Sequence, residues 1–223
     1  AARAAGPLAR IAEGFRYVRR NRLVLATITL DLFAVLLAGA TALLPIYARD
    51  ILHVGATGLG FLAAGMGIGA ASTALWFSFN PMKKNVGVKM LVAVVVFGLA
   101  ILTFGISRSF WLSLAALIVA GCADMVSVYV RTSLIQLHTP DAMRGRVSAV
   151  SQLTISASNE LGEAESGLLA SLLGPVGAVV AGGIGAIAIT LVWARLFPEL
   201  KNARTFDPPE ALEPGPQNGG IQP

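Results

Sequence analysis

Charged and amide side chains stand inside stretches that are otherwise apolar. Asp31, Asp124, Arg131, Glu160, Glu163 and Glu165 all lie within long hydrophobic blocks, and Asn159 stands just before the first glutamate. A charge at the centre of a membrane helix costs about 2.5–3.5 kcal/mol against lipid, so the three glutamates together would cost about 8–10 kcal/mol. Such groups are tolerated when they face protein or a water-filled cavity. There they can carry a proton, pair with a counter-charge or contact a polar solute in transit. Gln152, Ser156, Asn159, Glu163 and Ser166 recur at spacings of 4, 3, 4 and 3, which draws one polar stripe along a helix. Leu153, Ile155, Leu161 and Leu168 fall on the other side. Close carboxylates in a low dielectric resist ionising together, which makes Glu160 and Glu163 candidates for a proton relay. Asp124 and Arg131 share a helix face but stand roughly 10 Å apart along the axis, so each needs a partner from another helix. For Arg131 the candidates are Asp31, Glu160 and Glu163. The stripe would serve equally to hydrogen-bond a neighbouring helix, and the charges in the fourth span would serve equally as a structural pair.

Other chemistries find little support. The chain has two histidines, His53 and His138, expected in loops on opposite sides of a membrane, and one cysteine, Cys122, inside a span. No HExxH and no paired cysteines occur, so neither a metal site nor an intramembrane enzyme is expected. The run GMGIGAAS has the glycines of a dinucleotide loop, but no strand precedes it. No cofactor is expected.

The elements that must hold these residues follow from composition. Of 223 residues 55% are hydrophobic and 13% charged, against about 25% charged in soluble domains. Mean hydropathy is +0.72. The apolar residues come in blocks long enough to cross a bilayer, giving an all-α membrane protein. Residues 1–22 are expected to form a basic amphipathic helix on the cytoplasmic surface, with Leu8, Ile11, Phe15 and Val18 on one face. Residues 23–197 are expected to hold six transmembrane helices, at roughly 23–47, 57–79, 88–106, 111–137, 147–173 and 176–197, with a tight turn at Gly174-Pro175. The glycines of the second span would allow close helix approach. Residues 198–223, rich in proline and glycine, are expected to be a disordered cytoplasmic tail. Of the 17 Lys and Arg, 14 fall on one side of such a bundle and two on the other, with Arg131 inside a span. The excess places both ends of the segment in the cytoplasm, and it explains the net charge of +5 without nucleic acid. Spans three and six lack internal charge whereas one, four and five carry it, which suits two three-helix inverted repeats. The chain begins at Ala1 rather than Met, so a longer parent is expected.

Four segments carry a family resemblance: FRYVRRNR, LPIYARDILHVG, TPDAMRGRVSAV and SNELGEAESGLL. Over residues 8–200 the chain resembles the C-terminal half of a major facilitator superfamily transporter, and within it the bacterial exporters grouped with the enterobactin exporter. The resemblance implies half of a twelve-helix fold in the inner membrane. It also implies alternating access and proton-driven export of small amphiphilic or siderophore-like molecules. The implied partners are the lipid bilayer, a missing N-terminal six-helix half, a small-molecule substrate and protons. Asp31, Asp124, Arg131, Asn159, Glu160 and Glu163 would line the substrate and proton pathway. Arg144 and Arg146 match loop arginines that hold the cytoplasmic ends closed, and Asp141 would cap the next helix or pair with them. A non-transporting scaffold or partner subunit is the alternative.

Overall fold

An α-helix rises 1.5 Å per residue, so about 20 apolar residues cross the roughly 30 Å hydrocarbon core of a bilayer. A computed structural model describes residues 7–37 and 39–206. Among the described residues the regular structure is all helical, and five helical runs are long and apolar enough to cross a membrane. An N-terminal helix, α1 (Pro7–Arg20), precedes them.

The first run, Arg22–Ile51, is not one helix. Helix α2 (Arg22–Leu37) stops short, a 3-10 turn covers Ala40–Leu43, and the single turn α3 (Leu44–Ile46) passes into a π-helical turn, Tyr47–Ile51. Hydropathy predicts one span over roughly 23–47 with Pro45 marking its end, whereas the α-helix stops at Leu37. Pro45 stands in the first turn after the break. It has no N–H and its ring clashes with the carbonyl four residues back, so it opens a helix rather than continuing one. The Tyr47 hydroxyl donates to the Gly105 carbonyl at 2.9 Å, and its ring stacks on Phe104, which anchors the segment beyond the break.

Helices α4 (Gly55–Phe79), α5 (Val86–Ile106) and α6 (Phe110–Leu137) follow. Both α4 and α5 pack on α6. A Cβ on Gly69 or Gly121 would overlap backbone of the facing helix, at Ile118 and Met66 respectively, so α4 and α6 touch nearly backbone to backbone.

The last run, α7 (Asp141–Leu196), has 56 residues, far more than one crossing needs. It breaks at Gly174, whose φ of 75° lies in the left-handed region that glycine enters without penalty. Pro175 then opens the second leg, as the sequence leads one to expect. Gly162 of the first leg lies against Leu36 and Gly185 of the second against Leu37. The two glycines are nearly equidistant from the break, so the legs double back on each other. The second leg fills the space between α2 and α5. Its Gly183 faces Gly98 and Leu102, and the Trp193 indole N–H donates to Thr29 Oγ1 at 3.1 Å.

One end of the bundle is basic and well tied. The Tyr17 hydroxyl donates to the His138 carbonyl at 2.7 Å, and Gly14 of α1 sits against the Arg146 carbonyl. Helix α1 therefore docks through Gly14 and Val18, while Ile11 and Phe15 stay exposed on the apolar face named from sequence. The chain also remains on the bundle after residue 197, where a free tail was expected. Helix α8 (Pro198–Asn202) buries Leu200 completely, Arg22 pairs with Glu199 at 3.0 Å, and Asn85 and Gly87 donate backbone N–H groups to Arg204 and Ala203. The remainder of that expected tail, 207–223, lies outside the described residues, as do residues 1–6 of the N-terminal segment.

Outward faces are apolar apart from one strip on the first leg of α7. Trp76, Phe79, Trp111 and Leu172 are each at least 65% exposed. Trp76 and Phe79 lie near the basic end and Trp111 near the other, the placement of aromatic belts at two membrane–water interfaces.

Candidate functional site

Asp31 and Arg131 form an ion pair, Asp124 and Glu163 line a cavity, and Glu165 lies off both, its Oε2 buried without a hydrogen-bond partner among the described residues. Asp31 of α2 and Arg131 of α6 form a salt bridge, each only 5% exposed. Of the three carboxylates the sequence offers Arg131, the structure selects Asp31. Helices α2 and α6 meet at this level, with Leu30, Ala34, Val130 and Leu134 sealing the surroundings. Excluded from water, each charge is tolerable only through the other.

Asp124 points elsewhere. It lines a cavity of about 140 Å³ with Val35, Gly39, Thr41, Met66, Phe97, Asn159 and Glu163. The walls come from the end of α2 and the break after it, from α4, α5 and α6, and from the first leg of α7, which closes the ring. The break is what brings backbone into the wall. Gly39 lies against the Gly162 carbonyl and the Ser166 hydroxyl, where no side chain would fit. Neither Asp124 nor Glu163 has a hydrogen bond or ion pair to a described residue. Two carboxylates and one amide thus converge on a small polar hollow at membrane depth. Such a hollow can take up a proton, a cationic or hydroxyl group of a solute, or water.

The polar stripe of α7 divides. Gln152, Ser156, Asn159 and Glu163 are exposed, whereas Ser166 is buried against the α2 break. Ser151, Ser158 and Gly162 join Ser166 on the packed side. Glu160 is exposed and lies off the cavity. The carboxylate that shares the hollow with Glu163 is therefore Asp124, where sequence spacing pairs it with Glu160. Leu153, Leu161 and Leu168 are about 60% exposed, as a face turned to lipid or to another apolar surface must be.

At the basic end Asp141, Arg144 and Arg146 open α7. Arg144 pairs with Asp141 at 2.7 Å and donates through Nε to the Gln136 carbonyl at 3.2 Å. Arg146 reaches across to Glu13 of α1 at 2.5 Å. Asp141 also places an acidic group in the first turn of the helix, where the dipole favours it. Glu13 escapes notice in the sequence, because a lone glutamate on a basic helix reads as a solvated charge. Thr41, Met66 and Phe97 escape notice too, since nothing in an apolar run marks which residue faces a cavity. Among the described residues no group of three or more His, Cys, Asp and Glu side chains is arranged to hold a metal ion.

The family described as transmembrane secretion effector matches residues 7–215. The enterobactin exporter EntS of Escherichia coli (strain K12) is 28% identical over 202 residues, which cover 91% of this chain and 48% of that protein. The enterobactin exporter EntS of Escherichia coli (strain SMS-3-5 / SECEC) matches with the same identity and coverage. The chain thus spans about half the length of the curated relatives it matches. No solved structure matches it.

Proposed function

The chain belongs to the transmembrane secretion effector family of major facilitator transporters, and from that premise we propose that it is the C-terminal six-helix half of a proton-coupled exporter in a bacterial inner membrane. The first run, α4 and α5 form one three-helix repeat. Helix α6 and the two legs of α7, counted as separate crossings, form the second in inverted topology. The basic end faces the cytoplasm, as the excess of Lys and Arg there supports.

The observation that carries this reading is the convergence of Asp124 and Glu163 on a hollow beside a broken membrane helix. Broken helices beside ionisable groups near the bilayer midplane are how transporters build binding sites. The hollow is smaller than the roughly 300–1,000 Å³ of a typical ligand site. It is one wall of a larger cavity, completed by an N-terminal six-helix half that covers the exposed Gln152, Ser156, Asn159 and Glu163. Glu163 and Asp124 carry the coupling protons and meet polar groups of the substrate, and Glu160 lies beside them at the cavity edge. Asp31 and Arg131 hold α2 against α6 and so fix the depth of Asp124. Arg146, Glu13, Arg144 and Asp141 latch the cytoplasmic end when the cavity opens outward in alternating access. The names of the relatives support a small amphiphilic, siderophore-like substrate.

The test is flux of the full-length protein in proteoliposomes under an imposed proton gradient, with a catecholate siderophore as solute. Glu163→Gln and Asp124→Asn should each lower gradient-driven flux about 5- to 150-fold, the span of a coupling free energy of roughly 1–3 kcal/mol. Unchanged coupling in both variants would place the pathway elsewhere. A folded wild-type protein that moves no solute would favour a scaffold role.

A further inference from the structure

A second cavity lies on the outer side of the bundle. Helices α4 and α5 pack on α6 rather than on each other, and the gap between them is a groove of about 550 Å³. Phe77 of α4, Val92 and Val96 of α5, and Val119 and Val126 of α6 line it. Val92 and Val119 are about half exposed, so the groove opens sideways at membrane depth. It shares no residue with the polar hollow of Asp124 and Glu163.

The groove has one charged end. Lys89 lies at its mouth beside Met82, and the loop that enters α5 carries Lys83 and Lys84. All three lysines are exposed, and none pairs with a carboxylate among the described residues. From Lys89 to Val96 the wall runs about 10 Å into the bilayer. An apolar trough that opens to hydrocarbon, capped by cations at headgroup level, is complementary to one kind of molecule. We propose that the groove holds an acyl chain of an anionic phospholipid of the surrounding leaflet, with its phosphate on Lys89 and the adjacent lysines. A zwitterionic lipid offers the same tail but no net charge for the lysines to recognise.

The experiment uses the full-length protein in nanodiscs containing phosphatidylglycerol or phosphatidylcholine. Both lipids have identical chains and carry a photoactivatable diazirine on the tail, and crosslinks are mapped by peptide mass spectrometry. Phosphatidylglycerol should label residues 88–96 and 119–126 more than phosphatidylcholine does, with no such preference at Leu172, which is exposed but does not line the groove. Removing the lysines as Lys83→Gln, Lys84→Gln and Lys89→Gln should weaken the preference by up to about fivefold per lysine, the equivalent of about 1 kcal/mol each. All three are surface positions where loss of folding is not at issue. Val92→Trp, at a half-exposed position, should fill the groove and remove labelling at 119–126 while leaving Leu172 labelled. Equal yields from the two lipids at the groove would overturn the proposal. So would a preference that survives loss of the lysines, or groove labelling that persists in Val92→Trp.

Discussion

Asp31 and Arg131 meet at a depth where neither could stand alone. Removing one partner of a buried ion pair strands the other, at a cost of about 3–5 kcal/mol, whereas replacing both with apolar residues is often close to neutral. Asp31→Asn and Arg131→Gln should therefore each lower the stability of the detergent-solubilised protein by about that amount. Asp31→Leu combined with Arg131→Leu should regain most of it, as followed by thermal unfolding. A single substitution that costs less than about 1 kcal/mol would mean that water reaches the pair. Much of this site is legible in the sequence. The spacing of Asp124 and Arg131 says that each must look to another helix, and Asp31 is among the few groups able to answer Arg131. Which one answers depends on how α2 and α6 are set side by side, and no local pattern records that. The same limit misassigns the neighbour of Glu163. Spacing along one helix offers Glu160, whereas packing between helices delivers Asp124.

At the level of elements the strongest local commitment is the turn at Gly174. At φ 75° and ψ 164° the backbone lies in a region open essentially to glycine alone, where an L-residue pays about 1–3 kcal/mol. Gly174→Ala should cost that much in unfolding free energy, although open space surrounds the added methyl. Gly67→Ala, also in open space but with ordinary helical geometry, should be neutral or slightly stabilising. If the two variants behave alike, the break at Gly174 is not fixed by its backbone. Hydropathy alone recovers α4, α5, α6 and the division of α7, because a bilayer demands long apolar runs and Gly-Pro stops them. It does not recover the broken first span. An apolar residue reads the same in a straight helix and in a 3-10 turn, and Pro45 marks only that something must change nearby. Residues 198–206 mislead for the opposite reason. Their composition is polar, yet a fully buried Leu200 and the backbone hydrogen bonds from Asn85 and Gly87 hold them to the bundle.

Over the whole molecule, polarity is distributed in three ways. Apolar residues face outward, a basic collar rings one end, and a polar strip on the first leg of α7 is left open to its surroundings. The strip is the strongest reason to expect a further wall, since Glu163, Asn159 and Gln152 would be costly against lipid. The central claim is that this strip faces water inside the complete protein while its neighbours do not. It is tested most directly by thiol accessibility in membranes, with Cys122 replaced by Ser and single cysteines introduced as Glu163→Cys, Asn159→Cys or Leu161→Cys. A charged, membrane-impermeant thiol reagent should label positions 163 and 159 readily and leave 161 unlabelled. Labelling at 161 with none at 163 or 159 would contradict the account.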